Sequence, residues 1–199
     1  MDTSAPGFIE LERKTRETSV KAALCLYGEG RAEVETSVGF LDHMLTLFAV
    51  HGRFDLAVTA TGDTGVDYHH TVEDVGIVLG DILSRFLDKG ENLARYGEAK
   101  VPMDEALAEA VVDLSRRPFL VFDAAFGSPL IGGFDTQLFE EFFRALAHRA
   151  GITLHLRVLY GKNDHHRIEA VFKAFGRALA KAFTRDERVR GVLSSKGVL

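Results

Sequence analysis

The chain has 199 residues, of which 46% are hydrophobic and 27% charged, a composition typical of a globular protein and not of a disordered or fibrous one. The formal net charge of −5, with lysine and arginine scattered along the sequence, argues against a partner of nucleic acid. No apolar run is long enough to cross a bilayer and residues 1–8 lack the features of a secretion signal, so we expect a cytoplasmic protein with no membrane partner.

In chain order, the first half of the sequence predicts two strands, a helix, a strand and a second helix. The predicted elements are strands at residues 8–15 and 19–27, a helix at 41–50, a strand at 54–59 and an amphipathic helix at 71–87. The two opening strands suggest a hairpin that turns through Arg16 and Glu17. Cys25, the only cysteine, excludes an internal disulfide and is interpreted as a buried side chain rather than a nucleophile.

The second half predicts the same series of elements. They are strands at residues 110–114 and 119–126 on either side of Pro118, a helix at 137–150, a strand at 152–159 and a helix at 166–183. A linker between the halves is predicted near residues 96–102. The polar tail, 184–199, is expected to become ordered only on binding.

A His-His-x-x-Glu pattern occurs once in each half, beginning at His69 and again at His165. The match continues at the same spacing into the apolar residues that follow, which indicates an internal duplication. We therefore predict an α+β fold of two β-β-α-β-α half-domains, with the helices packed between two four-stranded sheets. The repeats are placed at about 8–95 and 101–185 of a single domain that covers residues 1–199.

The duplicated motif predicts metal binding, because residues three and four apart share a face at the start of a helix. Each glutamate is therefore expected near both histidines of its motif. The candidate ligands are His69, His70, Glu73, His165, His166 and Glu169. Adjacent histidines point in different directions, which suggests two ions. Imidazole and carboxylate groups suit manganese, iron, cobalt, nickel or zinc, and the chemistry of the residues does not choose among these metals.

Two further residues are candidate ligands because they occupy equivalent positions in the halves. His43 lies between apolar residues of the first helix and, alone, would be interpreted as a core histidine. Its counterpart is Glu141, which can also bind a metal, and this pairing makes a ligand role reasonable for His43. His51, just before Gly52 at the end of the same helix, stays undecided on its sequence context alone.

Five segments of the chain carry motifs that occur together in one family. They are RKTRET at 13–18, GFLDHML at 39–45, DYHHTVED at 67–74, GKNDHHRIE at 161–169 and SSKGVL at 194–199. In this combination, which is highly specific, the chain resembles imidazoleglycerol-phosphate dehydratases from about residue 9 to residue 199. The resemblance implies a carbon–oxygen lyase of histidine biosynthesis, which removes water from D-erythro-imidazole glycerol 3-phosphate to give imidazole acetol phosphate.

The resemblance also implies a cofactor and its ligands. The family binds two Mn²⁺ ions in each active site, with ligands from neighbouring subunits. Metal-ligand roles carry over to His43, His69, His70, Glu73, His165, His166 and Glu169. The family usually has a further histidine ligand where this chain has Glu141. Either this carboxylate binds the metal, or the coordination position is vacant or filled by water.

Substrate binding and assembly are further implications of the resemblance. It implies a homo-oligomer of 24 subunits built from trimers, with a phosphorylated small molecule as substrate. Substrate-binding roles carry over to Glu17, His43, His51, His69, Glu73, Arg95, Arg117, Ser194, Ser195 and Lys196. Glu17 is the candidate catalytic acid or base, and the arginines, the lysine and the serines are candidates for binding the phosphate.

The expected reaction gives the metal a definite role. The proton to be lost lies on a carbon with no carbonyl beside it, so it is not acidic. A ring nitrogen of the substrate that binds Mn²⁺ loses its N–H more easily, and the metal-bound imidazolate can then expel the neighbouring hydroxyl. Two other functions remain open at this point. A metal-dependent hydrolase would release free phosphate, and a non-catalytic metal-binding shell would take up manganese without turnover.

Overall fold

The computed structural model describes residues 1–5, 7–189, 191 and 193–194 of the chain. Within these residues the elements of the first half are β1 (Ile9–Lys14), β2 (Thr18–Cys25), β3 (Ala32–Glu35), α1 (Gly39–Gly52), β4 (Asp55–Gly62) and α2 (His69–Lys89). Those of the second half are β5 (Tyr96–Met103), β6 (Ala106–Asp113), β7 (Phe119–Asp123), β8 (Leu130–Ile131), β9 (Phe134–Asp135), α3 (Gln137–Ala150), β10 (Thr153–Tyr160) and α4 (Asp164–Ala182). The strands β8 and β9 form a small separate hairpin before α3.

Two four-stranded sheets with the same strand order organise the halves. The first sheet has the order β1-β2-β4-β3 and the second the order β5-β6-β10-β7. In both sheets the last strand is parallel to its neighbour and the other pairs are antiparallel. The predicted α+β class and the two four-stranded sheets are therefore confirmed, and each strand of the first sheet has a counterpart in the second.

Each four-stranded sheet nevertheless contains one strand more than the expected β-β-α-β-α order, and the second half adds the β8–β9 hairpin. The four residues of β3 are too few to produce a recognisable alternation, so the sequence pattern does not predict this strand. The predicted linker near residues 96–102 is wrong, because these residues belong to β5. In that strand Gly97, Ala99 and Val101 are buried while their neighbours are exposed, an alternation that small side chains and Pro102 conceal.

The helices lie between the two sheets in two layers. Helices α1 and α2 pack against the first sheet and α3 and α4 against the second, while α1 contacts α4 and α2 contacts α3. One continuous apolar core includes residues of both sheets and both helix layers. Phenylalanines fill its centre: Phe48 of α1 stacks on Phe175 of α4 with the ring centroids 5.2 Å apart. Across the described part of the chain, no helix has both the length and the apolar content needed to cross a membrane.

Two glycines at equivalent positions allow the helix layers to approach closely. A methyl group on Gly176 of α4 would lie 2.5 Å from the carbonyl oxygen of Phe48 in α1. A methyl group on Gly80 of α2 would lie 2.6 Å from the carbonyl oxygen of Leu146 in α3. Both helix pairs therefore need a residue without a side chain at their crossing, and this requirement fixes α1 relative to the histidines at the start of α4.

Candidate metal centre

The two histidine pairs lie in the first turns of α2 and α4. The side chains of Asp67 and Asn163 accept hydrogen bonds from the backbone N–H groups of His69 and His165, at 2.7 and 2.9 Å. These bonds satisfy backbone donors that have no partner within the helix. Within each pair the rings are nearly perpendicular, with interplanar angles of 89° and 84°, so adjacent histidines face different surroundings.

Three of the predicted ligands form a compact group where α1 crosses α4. Glu169 Oε2 lies 3.2 Å from His165 Nε2 and 3.6 Å from His43 Nε2, and the three ligand atoms all lie within 4.8 Å of one another. Two imidazole nitrogens and a carboxylate at this separation are a suitable donor set for a divalent transition metal. His43 is exposed and not part of the core, because the packing of α1 on α4 turns it towards this group.

Glu169 is buried and remains a carboxylate because of Lys173. Burial by itself favours the neutral acid, but the hydrogen bond from Lys173 and the nearby charges hold the pKa of Glu169 below its usual value. The ammonium Nζ lies 2.5 Å from Glu169 Oε1, so Oε2 is the oxygen that faces the histidines. His51 is on the same side of α1, where burial and then the charges of Lys173 and Arg177 lower its pKa.

The counterpart of this group, at the α2–α3 pair, is more open. Glu141 is the fifth residue of α3, as His43 is of α1. Together with His69 it lines a surface cavity of about 450 Å³. Glu141 forms an ion pair with Arg144 at 2.9 Å. Within the described residues, Glu141, His69 and Glu73 do not form a compact ligand group, so their metal roles stay predictions.

The second histidine of each pair turns away from these groups. His70 Nδ1 lies 3.0 Å from Asp63 Oδ2 and 3.9 Å from Glu17 Oε2. His166 Nδ1 lies 2.7 Å from Glu105 Oε2. The hydrogen bonds with Asp63 and Glu105 raise the pKa values of His70 and His166. The bond from His166 is the main cause that lowers the pKa of Glu105 to about 2.

A chain of aromatic contacts places both histidine pairs at one end of the molecule. His165 meets the ring of Phe40 edge-on at 5.3 Å, and Phe40 lies 5.5 Å from Phe134, with both distances measured between ring centroids. Phe134 in turn stacks on Tyr68, which directly precedes His69. The buried Phe134 thus connects the start of α2 with the start of α4, and the candidate metal centre extends across both.

The predicted phosphate-binding arginines lie far from this centre in the same chain. Arg95 donates to Asp113 at 2.7 Å, and an Arg117 nitrogen lies 3.5 Å from the same carboxylate. The backbone N–H of Arg95 donates to the carbonyl of Ala182, the last residue of α4. At the helical rise per residue, Ala182 is about 25 Å from His165 along α4.

The start of the predicted substrate-binding tail lies beside these arginines. Arg95 Nη1 donates to the carbonyl oxygen of Leu193 at 2.5 Å, and Ser194 follows directly. Ser195 and Lys196 lie outside the described residues. The chain therefore brings its arginines and the beginning of its tail together, but it does not bring them to the histidines.

The sequence patterns do not single out three residues of the site: Lys173, Asp63 and Glu105. Lys173 follows Glu169 by four residues on a helix, a spacing at which side chains meet, so the sequence contains the signal for this contact. Glu105 occupies the β5–β6 turn as Glu17 occupies the β1–β2 turn. That signal is hidden as long as β5 is interpreted as a linker. Asp63 is placed by the loop between β4 and α2, for which the sequence gives no comparable pattern.

Comparison with known proteins identifies a family. The model of the imidazoleglycerol-phosphate dehydratase family matches residues 36–179. Proteins of that name are similar over almost the whole chain. One from Clostridium botulinum (strain Kyoto / Type A2) is 57% identical over 187 residues, which are 94% of this chain and 95% of the relative. One from Acetivibrio thermocellus is 55% identical over 190 residues, which are 96% of this chain and 97% of the relative.

Solved structures show the same similarity. The imidazoleglycerol-phosphate dehydratase of Staphylococcus aureus subsp. aureus N315 is 41% identical with a TM-score of 0.82, and the match covers 90% of this chain and 99% of that one. IGPD from Pyrococcus furiosus, in complex with (S)-C348, is 39% identical with a TM-score of 0.82, and the match covers 95% and 100% of the two chains.

Proposed function

The chain belongs to the imidazoleglycerol-phosphate dehydratase family of hydro-lyases, and from this premise we propose that it converts D-erythro-imidazole glycerol 3-phosphate to imidazole acetol phosphate and water in histidine biosynthesis. The observation that carries the proposal is the group of His43, His165 and Glu169. It lies within the span that matches the family, residues 36–179. It also offers the donor set that a metal-dependent dehydratase requires.

Manganese is the proposed cofactor, with two ions in each active site. The group of His43, His165 and Glu169 would hold one ion, and the counterpart residues His69, Glu73 and Glu141 would contribute to the other. The outward-facing His70 and His166 would complete these sites in neighbouring subunits. Bound there, a divalent ion supplies Lewis acidity, which eases loss of a ring N–H from the substrate and so favours the imidazolate on which the proposed dehydration depends.

Glu17 is the proposed acid and base at the reacting carbons. Its carboxylate is exposed in the β1–β2 turn and lies near His70, so it can reach a substrate bound at the histidine-rich end. In the proposed order of steps, the Glu17 carboxylate removes the C–H proton after the hydroxyl has left as water. An enol results, and it becomes the ketone when carbon regains a proton.

The phosphate of the substrate needs cationic partners in the protein. Arg95, Arg117 and Lys196, with Ser194 and Ser195, are the proposed phosphate-binding residues. Because the arginines lie at the other end of α4, a substrate that contacts both regions must bind between subunits. This geometry supports the proposed homo-oligomer. We propose that it contains 24 subunits built from trimers.

The proposal is tested by incubating the purified protein with imidazole glycerol phosphate after chelation and again after Mn²⁺ is restored. We expect turnover to disappear on chelation and to return with manganese, measured by the absorbance of the enol and ketone product. Release of inorganic phosphate instead would assign a hydrolase. Manganese uptake without any product would leave only a metal-binding shell.

A Glu17→Gln variant in the same assay separates metal binding from proton transfer. It should bind manganese like the wild type but turn over ~10²- to 10⁴-fold more slowly, the range that general acid–base groups contribute. Undiminished turnover at full manganese occupancy would remove Glu17 from the mechanism.

A further inference from the structure

The internal duplication places a glutamate at the same point of two hairpin turns. The β1–β2 register pairs Lys14 with Ser19, and the β5–β6 register pairs Met103 with Ala106. Glu17 and Glu105 therefore each follow the centre of their turn. Each turn lies beside the second histidine of the pair in its own half. The two glutamates are equivalent in position, but they do not make the same contacts.

In the second half the turn glutamate holds the histidine directly. Glu105 Oε2 is 2.7 Å from His166 Nδ1, a short distance for such a bond. Its other oxygen accepts the backbone N–H groups of Lys162 and Asn163, at 2.9 and 2.7 Å. These two bonds fix the side chain of Glu105 at the start of α4, so its orientation does not depend on His166.

In the first half a different carboxylate takes this place. Asp63 Oδ2 lies 3.0 Å from His70 Nδ1, while Glu17 Oε2 stays 3.9 Å away, beyond hydrogen-bond distance. Asp63 is also tied to the turn, because its backbone N–H donates to the carbonyl of Glu17 at 3.2 Å. The corresponding loop after β10, residues 161–163, has no carboxylate. The histidine of that half therefore depends on Glu105.

We propose that Glu105 and Asp63 are positioning residues, which bind Nδ1 of His166 and His70 and so leave Nε2 of each ring free to coordinate a metal ion. A carboxylate accepts from Nδ1–H and therefore selects the tautomer whose Nε2 carries the lone pair. The division of roles also leaves Glu17 without a structural hydrogen bond to a histidine and available to the substrate. The inference rests on the metal role of His70 and His166 in the proposed function.

Glu105→Gln is the most direct test, because the amide has nearly the same shape. Its carbonyl oxygen can still accept the N–H groups of Lys162 and Asn163, but its NH₂ group now faces Nδ1. An NH₂ donor favours the opposite tautomer, in which Nε2 carries the proton and cannot bind metal. We expect the affinity for Mn²⁺ alone, titrated by electron paramagnetic resonance, to fall about 10- to 100-fold, the range for lost partners of metal-binding histidines. At His70 the matching variant is Asp63→Ala, which removes the acceptor of Nδ1 altogether, because the other oxygen of Asp63 has no hydrogen-bond partner that would fix the orientation of an amide.

Glu109→Gln is the matched control, since Glu109 lies within β6 and forms its ion pair with Lys100 of the neighbouring strand. It should bind manganese like the wild type. The thermal unfolding midpoint of each metal-free variant, measured in parallel, identifies any loss that comes from the fold. Wild-type affinity for manganese in folded Glu105→Gln and Asp63→Ala would overturn the inference. A wild-type protein that binds no manganese would instead overturn the proposed function.

Nitrogen-15 solid-state NMR of metal-free, histidine-labelled protein gives a readout that does not involve metal. At a pH where the imidazoles are neutral, Glu105→Gln should lose one signal of the Nδ1–H tautomer and Asp63→Ala another. Glu17→Gln should lose neither, because Asp63 and not Glu17 holds His70. An unchanged spectrum in the first two variants, or a loss in the third, would contradict the assignment.

Discussion

At the scale of the residue, Asp55 is a carboxylate that is both buried and fully bonded. It begins β4 with its side chain only 3% exposed. Its oxygens accept the backbone N–H groups of Glu29 and Arg31, at 2.9 and 3.0 Å, as well as the guanidinium of Arg31. The hydrogen bond from Arg31 is the main cause that lowers the pKa of Asp55 from 3.8 to about 2. Asp55 thereby ties the loop before β3 to the first sheet.

This network predicts a pH-dependent stability. A carboxyl whose pKa is lower in the folded than in the unfolded protein stabilises the fold above the unfolded value, and the effect is lost as the pH falls through the folded value. Asp55→Asn should therefore lower the free energy of unfolding by about 1–3 kcal/mol near neutral pH. The difference from the wild type should shrink between about pH 4 and pH 2, as measured by urea unfolding at each pH.

Asp123→Asn provides the control for this prediction. Asp123 also pairs with an arginine, Arg157, but its side chain is 64% exposed. An exposed pair of this kind contributes at most about 1 kcal/mol to the free energy of unfolding. Equal decreases in the free energy of unfolding of the two variants would contradict the prediction that the buried network around Asp55 stabilises the fold more than an exposed ion pair does.

At the scale of the element, the crossing of α1 and α4 determines whether the ligands meet. His43 comes from one helix and the other two ligands from the second, so their distances depend on how closely the helices pack. Gly176 permits this approach, because any side chain there would meet the backbone of α1 at Phe48. Packing at the crossing and geometry at the histidines are therefore linked.

Gly176→Ala should weaken both the fold and the metal site. The added methyl group overpacks the crossing, at a cost of about 1–3 kcal/mol in the free energy of unfolding, and moves His43 away from Glu169. Urea unfolding of the metal-free protein and a manganese titration measure the two effects. Gly39→Ala, where a methyl group would meet nothing within 4 Å, should stay within about 0.5 kcal/mol of the wild type. A Gly176→Ala protein as stable as this control would refute the argument.

The elements that the sequence predicts are those in which apolar residues recur with a clear period. The helices at 71–87 and 166–183 correspond to α2 and α4, because long apolar stripes make their pattern unambiguous. The strands β3 and β5 are missed for a physical reason. β3 has only four residues, and the buried side chains of β5 are small. The hydrophobic pattern of neither strand therefore differs enough from that of a loop.

The site is predictable only as far as local spacing reaches. The contact between His165 and Glu169 follows from their separation of four residues on one helix. The same rule places Glu169 near His166 as well, and the charge of Glu169 is indeed among the causes that raise the pKa of His166, after the hydrogen bond with Glu105. That hydrogen bond joins His166 to a turn 61 residues away, which the rule does not predict. The meeting of His43 with Glu169 depends on helix packing, which spacing along the chain does not encode.

At the scale of the whole molecule, the candidate centre and the proposed phosphate-binding arginines occupy opposite ends of α4. Exposed apolar side chains such as Tyr27, Phe119 and Tyr160, each about 60% exposed or more, are numerous enough to suggest contacts with other copies. We expect the assembled protein to bring the arginines of one subunit to the histidines of another.

Co-expression of two inactive variants tests this sharing. His165→Ala removes a proposed metal ligand and Arg117→Ala removes a proposed phosphate-binding cation, so each variant alone should be nearly inactive. If every active site draws these residues from different subunits, random mixed oligomers should regain roughly a quarter of the wild-type sites. Steady-state turnover of the purified mixed oligomer measures the recovery.

The matched control combines His43→Ala with His165→Ala. Both residues belong to one ligand group within a single chain, so no mixture of these two variants restores an intact group. Recovery in this control, or its absence in the first mixture, would contradict the proposed sharing of sites between subunits.

The way the helix layers cross between the halves has a consequence for how the chain folds. Because α1 rests on α4 and α2 on α3, each half buries against the other half the helix surface that faces away from its own sheet. The halves are related as the partners of a dimer would be, joined by the short connection between Lys89 and Tyr96. The predicted duplication therefore copied a unit smaller than the one that folds, and we expect the two halves to acquire their structure together.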